Sequence, residues 1–171
     1  MGKEFFCGEW LEKHLTLYAF SHMLVMPLHV WWLVQIAAPN TPLNDNVMML
    51  MLLGFVGGFC FEITRKTNGA EEERDTIESY SRIFGSSLAG AIVLALTTTL
   101  STLQLVLLER LSASFPIVSA VILGICWLLC ASQLIRYIRN PTAKARKLNE
   151  GLVALLMLAG YGCLIAGVFA A

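Results

Sequence analysis

Charge is what this sequence has least of. Asp, Glu, Lys and Arg make up 14% of its 171 residues, against about 25% in an ordinary soluble domain. The 12 bases cancel the 12 acids, so the chain lacks the basic excess of a nucleic-acid binder. Nor is the composition that of a disordered segment, which is poor in apolar residues. Five cysteines are too few and too scattered for a secreted disulfide scaffold. Also missing are the period-two alternation of a membrane barrel strand, repeats of solenoid length and low-complexity linkers. No Ser-His-Asp, Cys-His or phosphate-loop constellation is present. Hydrophobic residues, by contrast, are 57% of the chain, with a mean hydropathy of +0.68. A soluble domain of this size cannot bury that much apolar surface, so the solvent implied is a bilayer.

The expected fold is all-α, a polytopic transmembrane bundle forming one integral-membrane domain over residues 1–171. A spanning helix needs roughly 20 apolar residues, and five stretches qualify: about 15–36, 43–61, 84–108, 116–136 and 151–170. Charge, Pro or Asn clusters bound them, as at Pro39-Asn40-Thr41-Pro42 and Arg139-Asn140-Pro141. The first stretch is too long for a signal-peptide core and carries His22 and His29, so it is read as retained. Pro27 should kink it. Trp10, Trp31 and Trp32 suit the interfacial aromatic belts, whereas Trp127 lies deeper, where packing accounts for it.

Alternate connections hold 11 of the 12 basic residues, leaving Arg110 alone on the other side. The positive-inside rule then puts the N-terminus in the cytoplasm and the C-terminus outside. The expected location is an integral, multi-pass position in a prokaryotic cytoplasmic membrane, with lipids as partners and no nucleic acid.

Three spans carry a polar stripe at helical spacing. The first runs Tyr18, His22, Val25, His29, Trp32; the third Ser87, Gly90, Thr97, Ser101, Gln104; the fourth Ser119, Cys126, Cys130, Gln133, Tyr137. Small and hydroxyl residues let helices approach closely and bond across their interface. The alternative is a shared cavity for an amphipathic or isoprenoid ligand, lined by Tyr18, His22, His29, Thr97 and Ser101. Gly54 and Gly58 make a GxxxG packing pair. Asn44-Asp45 reads as a helix cap, and Cys126 and Cys130, one turn apart, as packing residues rather than half a metal site.

Residues 62–83 form the charged loop, with four of the 12 bases and six of the 12 acids. Arg65 and Lys66 follow Glu62 by three and four residues, over one helical face. Ala70-Glu71-Glu72-Glu73-Arg74 reads as a short helix with acids in its first turn. Carboxylates beside fixed cations at a membrane surface suit the binding of a Mg²⁺-diphosphate. Mixed charges that pair locally and solvate the surface are the alternative reading.

Glu62-Ile63-Thr64-Arg65-Lys66, Glu71-Glu72-Glu73-Arg74 and the run Thr76–Gly85 together resemble the second acidic motif of the UbiA superfamily of membrane prenyltransferases. That family has nine transmembrane helices, with this motif between the sixth and seventh. Two helices before the loop and three after it match the family's C-terminal part over essentially the whole chain. The resemblance implies Mg²⁺-dependent transfer of a prenyl group from its diphosphate to a lipophilic acceptor. It implies Glu62, Glu71, Glu72 and Glu73 as metal ligands and Arg65, Lys66 and Arg74 as diphosphate contacts. Tyr80 and Ser81 would make local hydrogen bonds. Glutamates stand where the family usually has aspartates, and the family's first motif, of the Asn-Asp-x-x-Asp kind, is absent. A separate N-terminal half carrying that motif is therefore an expected partner, alongside the prenyl diphosphate. The alternative function is a non-catalytic membrane subunit or a cation-binding transporter component.

Overall fold

The computed structural model describes residues 15–74, 78–112 and 117–169. Lys3, Cys7, Trp10, Lys13, Asp75, Thr76 and Ile77 lie outside the described residues. The described chain is helical: α1 Leu15–Met23, α2 Val25–Ala37, α3 Asp45–Arg65, a 3₁₀ turn at Ala70–Glu72, α4 Tyr80–Phe84, α5 Ser86–Leu111, α6 Ile117–Arg139 and α7 Ala143–Phe169. Five helical segments are long and apolar enough to cross a membrane, the first of them formed by α1 and α2 together.

That first span is not continuous. Leu24 separates α1 from α2, and Pro27, in the first turn of α2, supplies the reason. Proline has no N–H to offer the carbonyl of Met23 and its ring crowds that turn, whereas a first-turn position tolerates it. The last amide before the break, that of Leu24, still bonds to Phe20 O at 3.2 Å.

Two helices run past their apolar stretches. The α3 helix continues through Glu62 to Arg65, so the charged loop begins a full turn later than hydropathy suggests. The last helix starts at Ala143 rather than near 151, taking in Lys144, Arg146, Lys147 and Glu150. Thr142 explains the early start, because its Oγ1 accepts from Ala145 N at 3.2 Å and its carbonyl from Arg146 N at 2.9 Å. A hydroxyl satisfying an orphan amide of the first turn is the usual N-cap device. Asn44 does the same for α3, its Oδ1 accepting from Val47 N at 3.0 Å.

The central helix is α5, which packs against α3, α6 and α7. Leu53, Leu100, Leu107, Leu108, Leu134 and Leu156 are fully buried around it. Small residues set the approach distances. A Cβ on Gly54 would lie 2.9 Å from Val30 Cγ2, and one on Gly58 2.9 Å from the Met23 sulfur. The GxxxG pair of α3 is therefore the seat of the first span. That span is lightly embedded, with 11% of its apolar window buried, against 28–44% for the other four. Asp45 and Arg110 approach to 3.9 Å where α3 begins and α5 ends, at the opposite end of the bundle from the charged loop.

Candidate functional site

The loop after α3 folds into a cap whose carboxylates are distributed among three separate attachments. The first is local. At the end of α3, Glu62 Oε2 meets Arg65 Nη2 at 2.9 Å and Glu62 Oε1 meets Lys66 Nζ at 2.7 Å, as the three- and four-residue spacing requires. Lys66 Nζ also lies 5.5 Å from the ring centre of Tyr18, tying the cap to the first span.

The second attachment reaches the start of α7, some 70 residues along the chain. Glu71 Oε1 accepts from Ala143 N at 2.7 Å, filling one of the four amides that a helix start leaves unpaired. Glu72 Oε2 accepts from Gly69 N at 3.1 Å and lies 2.8 Å from Arg146 Nε, a charge contact rather than an aligned hydrogen bond. Arg146 in turn meets Glu150 at 3.4 Å. The backbone joins in, with Ala70 N donating to Pro141 O at 2.7 Å and the Tyr137 hydroxyl to Asn68 O.

The third attachment closes the loop on itself. Glu73 accepts from the hydroxyls of Ser79 (2.7 Å) and Ser81. Ser81 Oγ also accepts from Asn68 N at 2.7 Å, and Ser79 Oγ caps α4 through Arg82 N at 3.1 Å. Tyr80 is buried and stacks on Phe84, its amide donating to Lys66 O at 3.0 Å. Burial, with the Glu62 charge second, pushes its phenol above the ordinary value, so it stays protonated.

Glu71 is held below the ordinary carboxylate value of 4.5, chiefly by the Ala143 amide. A depressed carboxyl contributes stability that is present above its unfolded pKa and lost as pH falls through the folded one. The attachment to α7 is therefore intact at neutral pH and released only below pH 4.5. Glu71→Gln is expected to remove that acid-limb dependence while keeping a weaker neutral contact. Thermal unfolding of wild type and variant at several pH values checks this; parallel profiles below pH 4.5 would contradict it.

The four glutamates the resemblance implies as metal ligands are thus placed apart, each facing its own donor. Among the described residues no three His, Cys, Asp or Glu side chains are grouped to hold a metal ion. As placed, Glu71, Glu72 and Glu73 are each engaged by the chain's own donors. Arg65 and Lys66 share Glu62, and the exposed Arg74 lends its backbone carbonyl to Arg82 Nη1 at 2.8 Å. The arrangement can brace a loop against two helices; it does not concentrate positive charge on one point.

Among the described residues the side chains of the polar stripes have separate surroundings. His29 is exposed, with Nδ1 3.0 Å from Val25 O, and His22 stacks on Tyr18. Thr97 is fully buried, its hydroxyl donating to Leu94 O at 2.9 Å. Ser101 reaches a groove of about 230 Å³ between α5 and α6, with Thr98, Thr102, Leu105, Leu123, Gly124 and Trp127. The Trp127 indole N–H donates to Thr98 Oγ1 at 3.1 Å, which accounts for its depth. Asn68, Tyr137 and Arg146 are members of the cap that motif reading passes over. Their signal is the Asn140-Pro141-Thr142 turn, which brings two charged helix ends together, but nothing local says the 62–83 loop lands on it.

Comparison with protein-family models, with curated proteins and with solved structures gives no match.

Proposed function

We propose that this chain is a non-catalytic membrane subunit, a bundle of UbiA-like layout in which the acidic loop serves as a brace instead of a diphosphate clamp. One observation carries the reading: Glu71, Glu72 and Glu73 are each spent on the chain's own groups, at Ala143 N, at Gly69 N with Arg146, and at Ser79 with Ser81. Glutamate in place of aspartate suits that role, since the longer arm reaches across to a neighbouring helix start. The positive-inside distribution supports a cytoplasmic position for the brace, in a prokaryotic cytoplasmic membrane.

A second reading keeps the ligand. The Glu62, Arg65 and Lys66 side chains are gathered on one helix turn with Arg65 half exposed, and they favour contact with a prenyl diphosphate delivered with Mg²⁺. A partner carrying the first acidic motif would complete such a site. For this second reading to hold an incoming diphosphate, Glu62 must release its cations, because a paired guanidinium offers fewer free donors.

One experiment separates the two. A non-reactive isoprenyl diphosphate analogue is titrated into the purified chain in detergent, with and without Mg²⁺, beside E71Q/E72Q/E73Q. The brace predicts no Mg²⁺-dependent binding and a lower Tm for the triple variant. Mg²⁺-dependent binding by the wild-type chain overturns it in favour of the ligand-binding half-site, whether or not the triple variant loses that binding.

A further inference from the structure

The cations at the loop end of the bundle fall into two groups. Those of the cap other than the exposed Arg74 are answered internally: Arg65 and Lys66 by Glu62, Arg146 by Glu72 and Glu150, Arg82 by the Arg74 carbonyl. Those of the α6–α7 connection are not. Arg136, Arg139, Lys144 and Lys147 are all exposed, and among the described residues none has an ion-pair partner. Only Asn140, Pro141 and Thr142 separate the two helices, so four unanswered positive charges share one rim.

Helix electrostatics account for half of this. Arg136 and Arg139 stand in the last turn of α6, where the partial negative charge of a helix C-terminus favours cations. Lys144 stands in the first turn of α7, where the same effect opposes it, and Lys147 follows one turn on. The nearest acids are already committed, Glu71 to Ala143 N, Glu72 and Glu150 to Arg146. Ile135 and Leu148, beside these cations, are 42% and 49% exposed. Exposed apolar side chains next to long cationic ones mark a depth where stems lie in hydrocarbon and heads in the phosphate layer.

We propose that Arg136, Arg139, Lys144 and Lys147 form a binding edge for the headgroups of anionic phospholipids. The negative charge that these four cations lack from the protein comes from the leaflet, which attracts such clusters within a screening length. The inference is independent of what the 62–83 loop does.

The test reconstitutes the full chain in phosphatidylcholine vesicles with trace spin-labelled phosphatidylglycerol or phosphatidylcholine, and reads the motionally restricted fraction of each. Phosphatidylglycerol is expected to associate at least about fivefold more strongly, and R136Q/R139Q/K144Q/K147Q to bring the ratio to near one. The charge-keeping set R136K/R139K/K144R/K147R should retain the preference, which separates charge from packing. On the wild-type protein, raising salt should erode the preference, a reading that stands even where the neutral variant does not fold. Preference unchanged in a folded neutral variant, or insensitivity to salt in wild type, overturns the proposal. Loss of the preference on adding millimolar inorganic phosphate at constant ionic strength also overturns it, because the rim would then be selecting free phosphate.

Discussion

Gly160→Ala is expected to destabilise the bundle by about 3 kcal/mol, and Gln104→Ala in the same chain to restore most of the loss. The Gln104 side chain lies directly on the Gly160 face of α7. A Cβ there would stand 1.9 Å from Gln104 Nε2 and 2.1 Å from its Cδ. Gln104 is fully buried in the middle of the bundle, and among the described residues neither its Nε2 nor its Oε1 has a hydrogen-bond partner. It therefore has nowhere polar to move to, and displacing it means parting α5 from α7. Truncating Gln104 both opens the space and removes an unpaired amide whose burial costs about 1–3 kcal/mol. Gln104→Ala alone should for that reason cost less than Gly160→Ala. Unfolding of the four proteins of the cycle in mixed micelles measures the coupling, expected above about 1 kcal/mol. Additive effects would show that the two positions do not meet.

Gln104 also shows where reading along the chain stops. Its place on a stripe with Thr97 and Ser101 follows from helical spacing, and all three are indeed buried. The spacing cannot say that the opposing surface is a glycine on the last helix rather than a cavity. The spans themselves are plain in the hydropathy, because each must satisfy its backbone within itself. The Glu62 pairs and the Asn44 cap are plain for the same reason, since their partners lie three or four residues away. The start of α7 is hidden, because Lys144, Arg146 and Lys147 depress hydropathy while leaving the helical backbone untouched. The roles of Glu71, Glu72 and Glu73 are hidden more deeply. A carboxylate that bonds an amide 72 residues away has the same local sequence as one that holds a metal. Only the fold distinguishes them.

The residue on which that distinction turns most sharply is Gly69, at the point where the loop crosses the α6–α7 connection. Its missing side chain faces backbone: a Cβ would come within 2.3 Å of Ala143 N and 2.5 Å of Thr142 C. A flexible side chain can swing away from such a contact, but the first turn of a helix cannot. Gly69→Ala should therefore lift the loop from the start of α7, at a cost of about 3 kcal/mol. Three bonds go together, Ala70 N to Pro141 O, Ala143 N to Glu71 and the Tyr137 hydroxyl to Asn68 O. Because the spans are held by their own packing, the helix content of the bundle should survive. The expected signature is local, with faster hydrogen exchange at Ala70 and Ala143 and new protease cleavage within 66–82, at unchanged far-UV signal. Unchanged exchange at Ala143 would mean that the loop does not rest on α7, and the brace would then lose its anchor. If the loop is a brace, loosening it should lower Tm and leave the affinity for Mg²⁺ unchanged. Were it a ligand clamp, the same variant would free Glu71 and Glu72 and raise the affinity for Mg²⁺, so one substitution reads the two roles in opposite directions.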